Sequence, residues 1–556
     1  MILAATVGGT DMDPDTQAGG TQAGDTRARD AQALAVHALE ARVDVIVIGA
    51  GPAGENVAGR CADAGLAVTI VERELVGGEC SYWGCIPSKT LIRPGEVLAA
   101  ARRVPGAAAA VTGALDPAAV FARRDRLVGG FSDDSQVPWL TDKGVTLVRG
   151  TGRLTGRPRQ VEVTGADGDR RVLTASRAVV VATGSRATVP PIPGLADAEP
   201  WDNRSATAAT AVPRRLVVLG GGAVGAELAQ AFRRLGSAEV TVVEGSPRLL
   251  AREEEFAGEQ VRAAFEADGI TVRLGTRAVD VRRGRPDSAT SRGPVTVTLA
   301  AGAGPHSADD HAGSDRSGRS HAEGDHAEGD DSVRDDSMGD DSVGDTVVAD
   351  EILVAVGRTP ATGDLGLAAV GLQPGTFIEV DDRLLAVGVD GGWLYAVGDV
   401  CGRALLTHMA KYQARIVADV ITGRRDAAGE PARDVADGLA IPRVTFTDPQ
   451  ASAVGLTERA AREAGLTVRA VSVATGGVAG ASVRGEGIIG TSKIVVDESR
   501  RVLVGATFTG PDTQEMVHAA TIAIVAAVPV ERLWHAVPSF PTVCEVWLRL
   551  LEEYGL

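Results

Sequence analysis

Cysteine is scarce in this chain: Cys61, Cys80, Cys85, Cys401 and Cys544 are spread over 556 positions. A secreted disulfide scaffold fills a short chain with paired cysteines, and a protein of this length has core enough to need no such staple. A reducing, cytoplasmic setting is therefore expected. Long apolar runs are missing as well. Stretches such as AATIAIVAAVPV fall well short of the roughly 20 residues that cross a bilayer, and the opening MILAATVGGTDMDPDT lacks the basic and apolar regions of a signal peptide. No membrane partner is expected. Clustered Lys and Arg are lacking too: the net charge is −17, which argues against a nucleic-acid partner, because phosphate contacts need concentrated positive charge.

The negative excess is unevenly placed. Between residues 306 and 345, thirteen Asp or Glu stand against three Arg, more than half of the net charge in one segment. Short repeats, HAEGDHAEGD and DDSVRDDSMGDDSVGD, mark the same region, so residues 284–346 read as an acidic, disordered surface insert. Its histidines, His306, His311, His321 and His326, lack the spacing of a tight site, and no metal is expected. Residues 1–42, rich in Asp, Thr, Gly and Ala without an apolar period, read as a disordered tail.

Elsewhere, runs such as VDVIVIG, AVTIVE, RAVVVATG, RLVVLG, EVTVVE and EILVAVG alternate with Ala-rich segments of helix length. Buried parallel strands joined by helices have this look, so the fold class is α/β with more than one doubly wound unit. Two of these units carry GxGxxG directly between strand and helix. In the first, Gly49 permits the tight turn, Gly51 lets backbone approach a pyrophosphate, Gly54 lets helix and strand pack closely, and Glu72 is placed to accept from a ribose hydroxyl. The second repeats the arrangement with Gly220, Gly222, Gly225 and Glu244. One such motif is weak evidence, since glycine turns also serve packing alone; two in register with strand, helix and acid are strong. The chain can thus hold two dinucleotides, and Glu244 would repel a 2′-phosphate, favouring NADH over NADPH, with Arg248 nearby pulling the other way.

In GGECSYWGCIPSKTL, residues 77–91, two cysteines stand five apart. A zinc site would need more ligands than two thiols, and a static bridge is disfavoured in a reducing compartment. A redox pair fits better. Cys85 opens an apparent helix with Pro87 in its first turn, and a helix N-terminus with a nearby lysine, here Lys89, lowers a thiol's pKa.

This GGxCxxxGCxPSK spacing, behind an N-terminal dinucleotide fingerprint, resembles the flavoprotein disulfide reductases, which include dihydrolipoamide dehydrogenase, glutathione reductase and mercuric reductase. The likeness covers residues 43–556 apart from the acidic insert. AVVVATGS at 178–185 and AVGRTP at 355–360 resemble the family's two crossings between domains, LYAVGDV at 394–400 its second flavin motif, and IPRVTFTDPQASAVGLTE at 441–458 the opening of its dimerisation domain. The resemblance implies two Rossmann-like domains, for FAD and NAD, and an α+β C-terminal dimerisation domain. The expected boundaries are 43–200 and 359–437 for the flavin domain, 201–358 for the nicotinamide domain and 438–556 for dimerisation. It implies that NADH passes electrons through FAD to a Cys80–Cys85 disulfide and on to a disulfide or other small acceptor, in a homodimer. Cys85 would face the flavin and Cys80 the substrate, with Lys89 and Glu227 as an ion pair beside the ring. Further FAD contacts are implied at Lys89, Gly152, Thr183, Gly184, Asp399 and Thr407, and an NAD contact at Gly357.

One departure bears on the reaction. Disulfide-reducing members end in HPTxSE, whose histidine shuttles protons in the partner's site; here the segment is SFPTVCE, residues 539–545. Phe540 takes the histidine's place, and Glu545 matches the glutamate that would orient it. A phenyl ring moves no proton, so about 10²- to 10⁴-fold of acid–base assistance should be missing. His535 is either a substitute or a surface histidine, and Cys544 either a third thiol or an interface residue. Tyr82 and Trp83, between the redox cysteines, either offer an aromatic face to a planar acceptor or pack against the flavin domain. Three alternatives within the family stay open: a diaphorase or quinone reductase working directly from FAD, and mercuric reductase-like or transhydrogenase-like enzymes.

Overall fold

The computed structural model describes residues 43–286, 292–301, 345–426 and 428–556. The expected tail and the histidines of the acidic segment lie outside these. Five strands run parallel in the first sheet, in the order Thr146–Arg149, Val68–Glu72, Val43–Ile48, Arg170–Val181 and Leu394–Ala396. The inner strands are apolar without alternation because both of their faces are buried. Val45, Ile46 and Val47 are fully buried, as are Val179, Val180 and Val181. The first half of Arg170–Val181 instead pairs antiparallel with Gln160–Thr164, which pairs with Thr151–Leu154.

The chain leaves this sheet through Ser185–Ala187 and returns through Arg358–Pro360, and the two crossings pair antiparallel with each other. Between them lies a second parallel sheet, ordered Ile270–Arg273, Glu239–Val243, Arg215–Leu219 and Glu351–Val354. It too carries an antiparallel meander, Thr276–Arg283, Val295–Ala301 and Thr346–Ala349. The meander corrects the lower boundary of the acidic insert: Val295–Ala301, placed inside it by composition, is a strand. VTVTL alternates, burying Val295, Val297 and Leu299 under the second sheet, and that period outweighs the polar residues around it. The acidic repeats, between Ala301 and Thr346 in sequence, lie outside the described residues.

The last unit is a five-stranded antiparallel sheet, ordered Arg443–Thr445, Gln450–Gly455, Val502–Gly510, Thr491–Asp497 and Val468–Ala474. Helices Thr513–Val525 and Val546–Tyr554 cover one face, with Phe508, Ile494, Ala520 and Leu550 in the core between them. Burial of each large side chain there contributes roughly 1.5–3 kcal/mol.

Candidate active site

Both glycine turns are built as their spacing predicts. Gly49 has φ +101°, and a Cβ there would lie 2.4 Å from the Ala182 carbonyl oxygen; Gly220 has φ +104°, with the Ala355 carbonyl oxygen 2.5 Å from such a Cβ. A side chain at Gly54 would strike the Gly49 carbonyl at 1.9 Å, and one at Gly225 the Gly220 carbonyl at 2.0 Å. Helices Pro52–Asp63 and Ala223–Leu235 start at once behind these turns, with Gly51 and Gly222 as N-caps. A Cβ on Gly222 would meet nothing within 4 Å, which leaves the amide end of the helix open to an anion. The acids match as well. Glu72 accepts from the Ala50 and Glu74 amides at 2.6 and 2.7 Å, and Glu244 from the Gly221 and Ser246 amides at 2.6 and 2.7 Å. Burial pushes the Glu72 carboxyl above its ordinary range, against those two hydrogen bonds.

Cys80 sits in a short helix, Gly78–Tyr82, and Cys85 is the first residue of Cys85–Arg102. The two thiols are close enough for their ionisations to be linked. Cys85 Sγ is 3.3 Å from Thr407 Oγ1, and Thr407 is itself the first residue of helix Thr407–Thr422, so two helix N-termini meet at this sulfur. The hydrogen bond from Cys80, then Thr407 and the charge of Lys89, pull the Cys85 thiol down to about 6 against burial and Glu227, while the same hydrogen bond and burial push Cys80 up. The surroundings thus favour ionisation at Cys85 over Cys80. Lys89 Nζ donates to Glu227 Oε2 at 2.7 Å, and Glu227 Oε1 accepts from the Phe446 amide at 2.9 Å.

Asp399 is half-buried. It accepts from Ser185 Oγ at 2.5 Å, Ser185 accepts from Arg358 Nε at 2.7 Å, and burial raises the Asp399 carboxyl. Arg358 also reaches Glu79, the neighbour of Cys80, which is held by Asn203 and Arg204 at 2.7 Å each. This network joins both crossings to the turn that bears the thiol. Sequence reasoning did not assign Ser185, Arg358, Glu79 or Arg204, although the first two stand inside the crossing motifs. Of the other expected contacts, Gly184 has φ +72°, Gly357 has φ +150°, and Gly152 packs against Ile48, whose Cγ2 would lie 3.0 Å from a Cβ.

Tyr82 is a packing residue: it is 2 % exposed and donates to the Val76 carbonyl at 2.9 Å. Trp83 lies under the Arg204 guanidinium, 4.0 Å from the ring centroid. In the C-terminal segment Phe540 is 75 % exposed and His535 is exposed, whereas Glu545 is buried, with Oε1 accepting from Arg549 at 3.3 Å and Oε2 unpartnered. Thr183 Oγ1 is likewise buried without a partner at the crossing. An orphaned hydroxyl there, beside an open glycine cradle and the carboxylates Glu72 and Asp399, fits the hydroxyl and phosphate chemistry of a flavin dinucleotide.

Comparison with known proteins agrees. Residues 43–312 match the family of pyridine nucleotide-disulphide oxidoreductases and residues 441–550 that family's dimerisation domain. Dihydrolipoyl dehydrogenase of Chlorobaculum tepidum is 33% identical over 91% of this chain and 96% of its own length. Mercuric reductase of Shigella flexneri is 30% identical over 90% of this chain and 79% of its own. Among solved structures, LpdA from Mycobacterium tuberculosis superposes with a TM-score of 0.72 at 24% identity, covering 92% of this chain and 100% of that one. HOCl-induced flavoprotein disulfide reductase RclA from Escherichia coli gives 0.71 at 23% over 92% and 99%. The chain belongs to the pyridine nucleotide-disulphide oxidoreductases. It is an enzyme that binds FAD and NAD(P)H and works through a redox-active disulfide, with two Rossmann-type domains and a C-terminal dimerisation domain. Among the described residues no helix is long and apolar enough to cross a membrane.

Proposed function

We propose that this enzyme carries electrons from NADH to a small disulfide or another two-electron acceptor through Cys80 and Cys85. The observation that carries this is the placement of Cys85: it opens one helix, lies 3.3 Å from Thr407 Oγ1 at the start of another, and has the Lys89–Glu227 pair one turn on. Residues 43–200 and 359–437 would form the flavin domain, with Gly49, Gly51, Gly54, Glu72, Lys89, Gly152, Thr183, Gly184, Asp399 and Thr407 holding FAD. Residues 201–358 would hold NADH through Gly220, Gly222, Gly225, Glu244 and Gly357. Bound FAD supplies the two-electron relay between nicotinamide and sulfur. The chain's own residues do the rest. Lys89, fixed by Glu227, keeps positive charge beside Cys85; Thr407 steadies that sulfur; and Cys80 exchanges with the acceptor. Residues 438–556 would pair two chains, so that each partner's SFPTVCE segment, with Phe540 exposed, closes the other's site, where Glu545 has no histidine to orient.

The reduced protein should show one thiolate, by its ultraviolet absorbance, with a midpoint near pH 6: present above that pH, lost below it, and missing in Cys85→Ser. Appearance only in the ordinary thiol range, about 8.5, would contradict the assignment.

Geometry favours NADH. Arg248 is committed to Glu255 at 3.0 Å and to the carbonyls of Ala251 and Glu253 at 2.7 and 3.3 Å, so Glu244 meets a 2′-phosphate without a compensating cation from it. A like-charge clash of a few kcal/mol predicts kcat/KM about 10²-fold higher for NADH than for NADPH, falling toward parity in Glu244→Ala. Equal kcat/KM values in the unaltered enzyme would remove Glu244 from this role.

A further inference from the structure

The loop between the redox cysteines folds back tightly on itself. The Trp83 amide donates to the Glu79 carbonyl at 2.9 Å, closing the helix Gly78–Tyr82, and a Cβ on Gly84 would lie 3.1 Å from the Glu79 carbonyl oxygen and 3.3 Å from the Cys80 Cα. The residue before Cys85 is thus packed against the backbone of Cys80. A helix of five residues is too short to hold such an approach by its own hydrogen bonds.

A second tie comes from outside the loop. Asn203 is the first residue of the helix Asn203–Thr207, whose cap is Asp202, so its side chain is not needed to start that helix. It is buried, and its Nδ2 donates to Glu79 Oε1 at 2.7 Å and to the Trp83 carbonyl at 3.1 Å. One amide group therefore joins the residue before Cys80 to the residue two before Cys85. Its orientation is fixed from behind: Asn203 Oδ1 accepts from Arg358 Nη1 at 3.3 Å, so the oxygen faces the guanidinium and both N–H groups face the loop. Glu79 is held in turn by Arg204, whose Nε donates to Oε2 at 2.7 Å and whose guanidinium lies over the Trp83 ring. Hydrogen bonds to an ionised carboxylate are among the strong ones.

We propose that Asn203 is a positioning residue for the redox pair: by bridging Glu79 and Trp83 it keeps the two sulfurs within reach of each other after the disulfide opens, and so favours its reclosure. The proposal rests on the reading of Cys80 and Cys85 as the working disulfide. When the disulfide takes up two electrons, the S–S bond breaks and the sulfurs are free to part. What limits their separation is the stiffness of Ser81, Tyr82, Trp83 and Gly84 between them, and each constraint on that loop raises the effective concentration at which one sulfur meets the other. A braced loop therefore shifts the equilibrium toward the closed form and makes the dithiol the stronger reductant. Asn203 touches neither sulfur; it acts through the backbone that carries them.

The test equilibrates the holoenzyme anaerobically with graded mixtures of reduced and oxidised dithiothreitol, traps the thiols by alkylation and reads Cys80 and Cys85 by mass spectrometry. The exchange balances: dithiothreitol gives up two electrons as its ring disulfide forms, the protein S–S bond takes them and breaks, and the protons pass to the protein sulfurs or to solvent. Asn203→Ala should reach half reduction at a mixture about tenfold less reducing than the unaltered enzyme needs, a potential about 30 mV more positive. Glu79→Ala should shift the midpoint in the same direction, and the double variant should fall well short of the product of the two single shifts, since both remove one bridge. Asn203→Asp, of the same shape but turning oxygens toward the oxygens of Glu79 and Trp83, should shift it at least as far, and it decides the matter if Asn203→Ala does not retain flavin. An unchanged midpoint in both Asn203 variants, a shift toward more reducing mixtures, or a double-variant shift equal to the product would overturn the proposal. Failure of the underlying reading would look different: labelling of Cys80 and Cys85 in the unaltered enzyme would not follow the dithiothreitol mixture.

Discussion

Replacing Cys80 and Cys85 together by serine lowers NADH-driven reduction of disulfide acceptors by a factor on the order of 10³ or more, as removal of an attacking nucleophile does. The flavin's visible absorbance should still bleach on addition of NADH, because both glycine cradles and the Lys89–Glu227 pair are untouched. Serine fills the space of cysteine and can accept or donate the same hydrogen bonds, so packing of Gly78–Tyr82 and Cys85–Arg102 is kept while the sulfur chemistry is lost. Turnover with quinones or dyes that take electrons straight from FAD should change little. If disulfide reduction survived in the double variant, electrons would be leaving by another route, and the diaphorase alternative would take precedence.

Phe540→His should raise turnover with a disulfide acceptor by about 10²-fold, the lower end of what a placed general acid–base contributes. The reason is that the orienting group is already present. Glu545 is buried, its Oε2 has no partner, and its Oε1 makes only a long contact to Arg549. A histidine at 540 would give that orphaned oxygen a donor and deliver an imidazole to the other subunit's thiol. The gain should follow a single ionisation near the ordinary histidine pKa, about 6.5, and vanish in Phe540→His combined with Glu545→Gln. A gain that persisted without Glu545 would show that the glutamate has no orienting role.

Much of this site was legible because its parts act locally. Gly49, Gly54 and Glu72 are fixed by steric and hydrogen-bonding demands inside one strand–turn–helix, and the same demands return unchanged at Gly220, Gly225 and Glu244. What sequence could not show is contact between distant segments. Glu79 meets Arg204 and Arg358 across 125 and 279 positions, and nothing in GGEC foretells those partners. Tyr82 and Trp83 were evenly balanced between packing and acceptor contact until the Val76 hydrogen bond and the Arg204 stack placed them. VTVTL reads as a strand from its alternation, and only the lower bound of the insert, set at 284, fell too early to exclude it.

Anaerobic titration of the purified holoenzyme with NADH, followed by alkylation and peptide mapping of new thiols, addresses the electron path most directly. One equivalent of NADH per chain should expose two thiols, at Cys80 and Cys85, with Cys61, Cys401 and Cys544 labelled to the same extent before and after. A flavin that bleaches while no thiol appears at either position would contradict it.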